Sequence, residues 1–362
     1  MAVINNSNGL NDGQGNDHSN GLAHMSPYQR SWRRFKTNKR GYYSLIIFSV
    51  LFVLSLFAEV LSNDKPLLVY YKDNLYVPVL ISYPETTFDG DFETEADYKD
   101  SYLIEMINKH GWILNTFNSH SYNSINYTSS EPNPAPPSAE NFLGTDDRGR
   151  DVFARLIYGF RLSVLFAFAL TIIGIAIGIV AGAVQGYFGG RIDLYFQRFI
   201  EVWGSMPELY LLIIFSSIFQ PGVLILIILL SLFGWMGLSD YVRAEFLKGR
   251  NLEYIKAAKA LGLSNVQIMW RHLLPNSMTP VITFLPFRIS GSILALTSLD
   301  FLGLGVPPST PSLGELLSQG KENISAWWLS LSTFIVLVGT LMLLIFIGEA
   351  IREAMDTRKS TR

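Results

Sequence analysis

Few residues in this chain of 362 are spaced to do chemistry, and their spacing excludes most kinds of it. An ATP-hydrolysing loop needs Gly-x-x-x-x-Gly-Lys-[Ser/Thr] after a strand, so that backbone N–H groups cradle the phosphates. The one Gly-Lys pair, Gly320-Lys321, is followed by Glu322, and the segments between apolar stretches are too short for a nucleotide-binding domain. A membrane-embedded protease needs a nucleophile with its base, or metal ligands, inside the spans. Five scattered histidines and no cysteine offer no such set, and cysteine-based metal or redox chemistry and disulfide staples are excluded. Two features remain. Arg288 interrupts the apolar stretch Met278 to Leu299, and a guanidinium there is costly unless it faces water or a partner. It could attract a substrate carboxylate from a pore, or pair with a backbone carbonyl or an acid elsewhere in the bundle. The other feature is the segment 250–276.

The elements that must position these residues are set by hydropathy. Hydrophobic residues make up 49% of the chain and charged ones 16%, with the apolar residues in blocks. A membrane helix takes about 20 apolar residues, because its backbone polar groups must be satisfied internally. Tyr43 to Leu61, Leu162 to Val184 and Ala326 to Ile347 meet this, as do Val223 to Leu238 and Met278 to Leu299. A sixth stretch, ending at Phe219, contains Glu201, Pro207 and Glu208, its two acids being expected at an interface. The expected fold is an all-α integral membrane protein with six transmembrane helices, a helix-turn-helix segment and a loop subdomain after the first span.

The net charge of −2 says little about partners, no nucleic acid being expected among them, and the distribution of charge sets orientation. Arg30, Arg33, Arg34, Lys36, Lys39 and Arg40 precede the first span with no acid among them. Between 62 and 141, twelve acids face four lysines. The basic end is expected in the cytoplasm and the acidic loop outside; six spans then return the C-terminus, with Arg352, Arg358, Lys359 and Arg362, to the cytoplasm. Four parts follow: a disordered tail over 1–25, a basic segment and first helix over 26–61, an outer subdomain rich in Tyr and Trp over 62–142, and a transmembrane domain over 143–362. Trp32 and Phe35 suit the basic segment to a helix on the inner leaflet. In the second span Gly174, Gly178, Gly182 and Gly186 share one helix face that another helix can approach closely. A partner subunit and the chain's own bundle fit that face equally.

Segment 250–276 reads as helix, turn, helix. Glu253 to Leu261 are helix formers and Gly262 stands at the left-handed stop. Ser264 and Gln267 make a capping box, Leu263 and Ile268 a hydrophobic staple, and Pro275 is expected to halt the second helix. Val266, Met269, Trp270 and Leu273 follow the spacing of one apolar stripe. With the small residues Ala257, Ala258 and Ala260 in its first arm, the pair suits a groove on another protein. Thr145 or Asp146 is expected to cap the helix entering the second span.

Lys256-Ala257-Ala258, Gly262 and His272-Leu273-Leu274-Pro275 resemble the EAA loop of ABC importer permeases, with Lys256 where that family usually has Glu. Leu143-Gly-Thr-Asp-Asp-Arg-Gly-Arg-Asp-Val152, Gly186-Tyr-Phe-Gly-Gly190 and Phe301-Leu-Gly-Leu-Gly305 resemble dipeptide and oligopeptide permeases of the C-subunit type. The long acidic loop is most similar to that of the YejE-type permeases of oligopeptide and microcin C importers. The resemblance implies a pore-forming subunit of the bacterial inner membrane that is not itself an enzyme. ATP and Mg2+ would sit on a partner ATPase, either separate subunits or a fused dimer, with no cofactor on this chain. The other implied partners are a second homologous permease, a periplasmic peptide-binding protein and the peptide cargo. Glu253, Lys256, Ala257, Ala258, Gly262, His272 and Pro275 would belong to the ATPase-coupling segment; His272 otherwise reads as a structural histidine. A secondary transporter is the alternative, but it would be expected to show paired repeats, broken helices and intramembrane acids for ion coupling.

Overall fold

The computed structural model describes residues 27–127, 131–219 and 222–356. The tail over 1–25 and Arg358, Lys359 and Arg362 lie outside these residues. A short helix α1 (Pro27–Thr37) is joined through Asn38 alone to α2 (Lys39–Leu56), whose first turn it caps: the Asn38 Oδ1 accepts from the Gly41 N–H at 3.1 Å. A single turn α3 (Ala58–Leu61) follows. After the 62–151 segment come α5 (Val152–Phe188), α6 (Gly190–Gly204), α7 (Glu208–Ile218), α8 (Val223–Gly234) and α9 (Met236–Gly249). The chain closes with α10 (Glu253–Ala260), α11 (Asn265–Phe301), α12 (Leu313–Glu322) and α13 (Trp327–Met355).

Among the described residues, five helical stretches are long and apolar enough to cross a membrane: α2, α5, α8 with α9 as one run of 27 residues, α11 and α13. The sixth expected span is not one helix. It consists of α6 and α7, bent by 63° at the break between them. Pro207 explains the break, since it lacks an N–H and biases Met206 away from helical geometry. Its own backbone is extended, with φ −72° and ψ 106°.

The all-α expectation holds for the spans but not for the segment after the first. Strands β1 (Leu68–Tyr71), β2 (Asn74–Tyr76) and β3 (Gly111–Leu114) form an antiparallel sheet in the order β2-β1-β3, with Tyr70 opposite Trp112. Helix α4 (Ser101–His110) runs directly into β3. Val69, Tyr71, Phe88, Leu103 and Ile107 form a closed core there, so apolar packing holds this region without disulfides.

Within the bundle, one core joins α2, α5, α11, α12 and α13 through Phe48, Leu156, Val164, Ile293, Leu316 and Leu344. A second joins the far half of α5 to α9, α10 and the start of α11 through Val242, Phe246, Ile255, Ile268 and Leu273. The glycine face of α5 meets the chain's own helices. A Cβ on Gly178 would lie 3.0 Å from the Trp235 carbonyl, on Gly182 2.4 Å from that of Ser239, and on Gly186 2.6 Å from that of Arg243. Gln185, on the same stretch, donates to the Ser239 hydroxyl at 2.9 Å. Gly182→Val should therefore push α9 off α5. We expect a lower thermal midpoint and aggregation in detergent, whereas Gly339→Ala, where an added Cβ meets nothing within 4 Å, leaves both unchanged.

Candidate coupling site

Helix α10 ends as a left-handed stop requires. Gly262 has φ +82°, its N–H donates to the Lys259 carbonyl at 3.1 Å, and the Leu263 N–H reaches back to the Ala258 carbonyl at 3.2 Å. The Ser264–Gln267 capping box is formed in both directions, with the Gln267 N–H on the Ser264 hydroxyl and the Gln267 amide oxygen accepting the Ser264 N–H.

The second arm departs from expectation. Pro275 does not halt it: α11 runs unbroken from Asn265 to Phe301, so this arm is the beginning of a span. Between Ile268 and Leu273 the helix widens into a π turn, and the Leu274 N–H bonds the Met269 carbonyl five residues back. The ordinary ladder is thus already shifted where the N–H of Pro275 is missing, and the proline is absorbed. The same turn splits the expected apolar stripe. Ile268, Met269 and Leu273 are buried, whereas Val266 and Trp270 are exposed.

The two arms are tied to each other and to α5. The Asn276 amide donates to the Tyr254 hydroxyl at 3.1 Å, the Tyr187 hydroxyl donates to Asn265 Oδ1 at 2.7 Å, and Arg250 donates to the Tyr187 carbonyl at 3.3 Å. Ile255 and Ala258 point into the chain's own core, Ala258 being 8% exposed. What α10 presents outward is Lys256, Ala257, Ala260 and the turn at Leu261, whose side chain is 81% exposed. Lys256 Nζ pairs with Glu253 Oε1 at 2.8 Å, a surface contact on one helix. His272 is half-buried, and its carbonyl accepts from the Asn276 amide. Among the described residues no group of three or more His, Asp or Glu side chains could hold a metal.

Arg288 donates through Nη2 to the Gly234 carbonyl at 2.7 Å. That carbonyl belongs to the last residue of α8, where an α-helix leaves acceptors unpaired and carries partial negative charge. Gly174 makes the room, since a Cβ there would lie 2.7 Å from the same nitrogen. The Nε of Arg288 is buried with no partner among the described residues.

A buried polar cluster at the start of α5 was the feature least visible in the sequence. Asp151 caps this helix, not Thr145 or Asp146: it accepts from the Ala154 N–H and from the Asn118 and Asn141 amides, each at 2.8 Å. Asp146 instead accepts from the Arg148 and Arg150 N–H groups at 2.9 Å and from Arg150 Nε at 2.7 Å. Its carboxylate also lies 3.6 Å from Arg155 Nε. Both arginines reach on to the loop after α11, Arg150 to the Pro308 carbonyl at 2.8 Å and Arg155 to that of Thr310 at 3.1 Å. There Asp300 accepts from the Val306 N–H at 2.8 Å and from the Ser312 hydroxyl. Burial, and then the adjacent Asp146 carboxylate, push the Asp147 carboxyl above its ordinary range. The signal available in the sequence was two acids followed by two arginines, Asp146, Asp147, Arg148 and Arg150, just ahead of an apolar helix.

Close-packed spans, one of them broken, and a helical tip built on the start of another span define a multi-span α-helical membrane protein, and the family match makes it the transmembrane subunit of a transporter. The chain belongs to the family of binding-protein-dependent transport system inner membrane components, whose model matches residues 154–361. Residues 26–83 match the N-terminal TM domain of oligopeptide transport permease C. The chain is 51% identical over 340 residues to the inner membrane ABC transporter permease protein YejE of Escherichia coli, covering 94% of this chain and 100% of that one. It is 49% identical to the peptidoglycan transport system permease protein YejE of Agrobacterium fabrum, covering 92% and 94%. It is 36% identical to the oligopeptide transport system permease protein OppC of Lactococcus lactis, covering 63% and 79%. The chain is accordingly a multi-pass permease subunit of an ABC importer, which works with an ATPase and a substrate-binding protein, and a secondary transporter is not favoured.

Removing the Asp146 charge leaves two buried guanidinium groups without their carboxylate. Asp146→Asn should cost about 3–5 kcal/mol of stability, read as a large fall in thermal midpoint and in the yield of monodisperse protein. Asp147→Asn, at a half-exposed neighbour, should change neither.

Proposed function

We propose that this chain forms the pore of an ATP-driven importer of oligopeptides or peptide-like compounds, microcin C among them, together with a second, homologous permease. Two relatives' names, a peptidoglycan and an oligopeptide transport system, support the cargo class, and microcin C rests on the resemblance of the acidic loop alone. In this reading 250–276 is the coupling segment, seated in a cleft of an ATPase that holds ATP and Mg2+. One observation carries the mechanism: the exposed turn at Leu261 and Gly262 leads through a capped start into α11, a helix that is itself a membrane span. A push on the turn therefore reaches the bundle through a continuous rod and not through a loop.

Closure of the ATPase dimer would move this tip, and the two permeases would alternate between outward and inward access. Both chain ends lie in the cytoplasm in this arrangement, and the 62–142 subdomain lies in the periplasm, where the peptide-binding protein docks beside it. The acidic loop and the basic approach to the first span support that orientation. Glu253, Lys256, Ala257, Gly262 and the His272–Pro275 run make the coupling surface or hold its shape, while Ala258 acts from beneath by packing. Arg288 is paired with the Gly234 carbonyl, the structural alternative of the two expected for it, and a contact with the peptide carboxylate would require its release from that carbonyl.

The test separates the outward face of α10 from its inward face. The chain is expressed with its ATPase and second permease, and the complex is captured from detergent. Ala257→Glu and Leu261→Asp should lower the retained ATPase by about tenfold, a loss of about 1.4 kcal/mol, with the permease still monodisperse. Gly262→Pro should do the same by removing the N–H and the positive φ together. Ala258→Glu should instead destabilise the permease itself. Full retention of the ATPase by both outward-facing variants would reject the coupling assignment.

A further inference from the structure

A run of positive charge lies around α1. Arg30, Arg33, Lys36, Lys39 and Arg40 are exposed, form no ion pair among the described residues, and have no acid between them. Arg34 differs, because it shares a polar pocket with Thr37, Asn38 and the acids Glu353 and Asp356 at the end of α13. The helix therefore has one side where acids stand and another where cations stand alone.

Along α1 runs an apolar groove of about 240 Å3, lined by Trp32, Phe35, Leu45, Ile282, Ile347 and Ile351. It is walled by α1, the first turns of α2, α11 and the last turns of α13. Phe35 is buried against Ala350 and Ala354, which fixes the helix in place. Trp32 stacks on Phe35 with ring centroids 5.5 Å apart but remains 50% exposed at the lip. Lys36 Nζ stands 5.5 Å above the Trp32 ring, and Arg33, three residues before Lys36, is its neighbour on the helix surface. Asn38 alone separates α1 from a membrane span, so the groove opens at the level where hydrocarbon gives way to headgroups.

We propose that this groove holds one anionic phospholipid, with an acyl chain along Phe35, Leu45 and Ile347 and the headgroup phosphate on Lys36 and Arg33. Charge complementarity selects the occupant. A zwitterionic lipid fills the groove equally well but brings no net charge to cations that have no acid of their own, whereas an anionic headgroup supplies it. Trp32, apolar on its face and polar at its indole N–H, suits the boundary between the two parts of such a ligand.

The assembled transporter is reconstituted in nanodiscs containing brominated phosphatidylglycerol or brominated phosphatidylcholine at equal mole fraction. Quenching of Trp32 is taken as the difference between wild type and Trp32→Phe. We expect stronger Trp32 quenching by the anionic lipid, a preference that weakens as salt is raised. Lys36→Gln and Arg33→Gln should each lower the preference by about fivefold, from the usual attraction of one basic residue for an anionic surface. The salt series needs no variant, so it tests the proposal even if a substitution disturbs α1. Equal quenching by both lipids, or a preference unchanged by salt and by both substitutions, would overturn headgroup recognition. Failure of both lipids to quench Trp32 would show the groove covered by a partner chain and overturn the lipid site altogether.

Discussion

The close approach of α9 to the glycine face of α5 fixes most of what this molecule can do. Lipid offers no hydrophobic drive for two helices to associate, so backbones must come near enough for dispersion and polar contacts to act. Gly178, Gly182 and Gly186 allow this, and Gln185 adds a hydrogen bond to Ser239 within the same seam. Because α9 is held there, α10 and the start of α11 can pack over the end of α5 in a shared core. Just before α9 begins, the last residue of α8, Gly234, and Gly174 of α5 lie around Arg288, so a half-buried cation is accommodated beside the seam that positions the tip.

The opposite end of α5 is held by charge and not by small residues. Asp146, Arg150 and Arg155 are buried together, and the arginines extend to carbonyls of the loop that follows α11. The long span α5 is thus fastened by backbone proximity at one end and by an ionic cluster at the other. An ion pair removed from water loses much of its Coulombic gain to desolvation. Its use here is geometric: fork-shaped guanidinium groups join three chain segments with little freedom to slide.

Much of this was legible in the sequence because membrane insertion leaves a strong, local signal. The apolar blocks gave the spans, and Gly262 with the Ser264–Gln267 box gave the turn, since each depends on residues within a few positions. The features that were missed depend on contacts distant in the chain or on competing local rules. The break at Pro207 was obscured by apolar residues on both sides, although the proline itself marked it. Pro275 was read as a stop because an isolated helix cannot admit it, but here the following helix is anchored on the bundle and a wider turn takes up the defect. The role of Asp146 was hidden because its partner Arg155 lies in an apolar helix and its neighbours from the 308–310 loop are over 150 residues away. The sheet after the first span was indicated only by clustered aromatic residues, which do not distinguish strand from helix.

The π turn between Ile268 and Leu273 gives α11 a mechanical property. One additional residue in a helical turn changes the phase of everything before it by about 100°. The azimuth of the tip about the axis of α11 is therefore offset by that angle from the one an uninterrupted α-helix would give it. If the turn tightened to an ordinary α-helical one, the tip would rotate about the axis while the span below kept its register. A push along the axis and a twist about it would thus meet α11 differently, the first carried by the whole rod and the second taken up first at the widened turn.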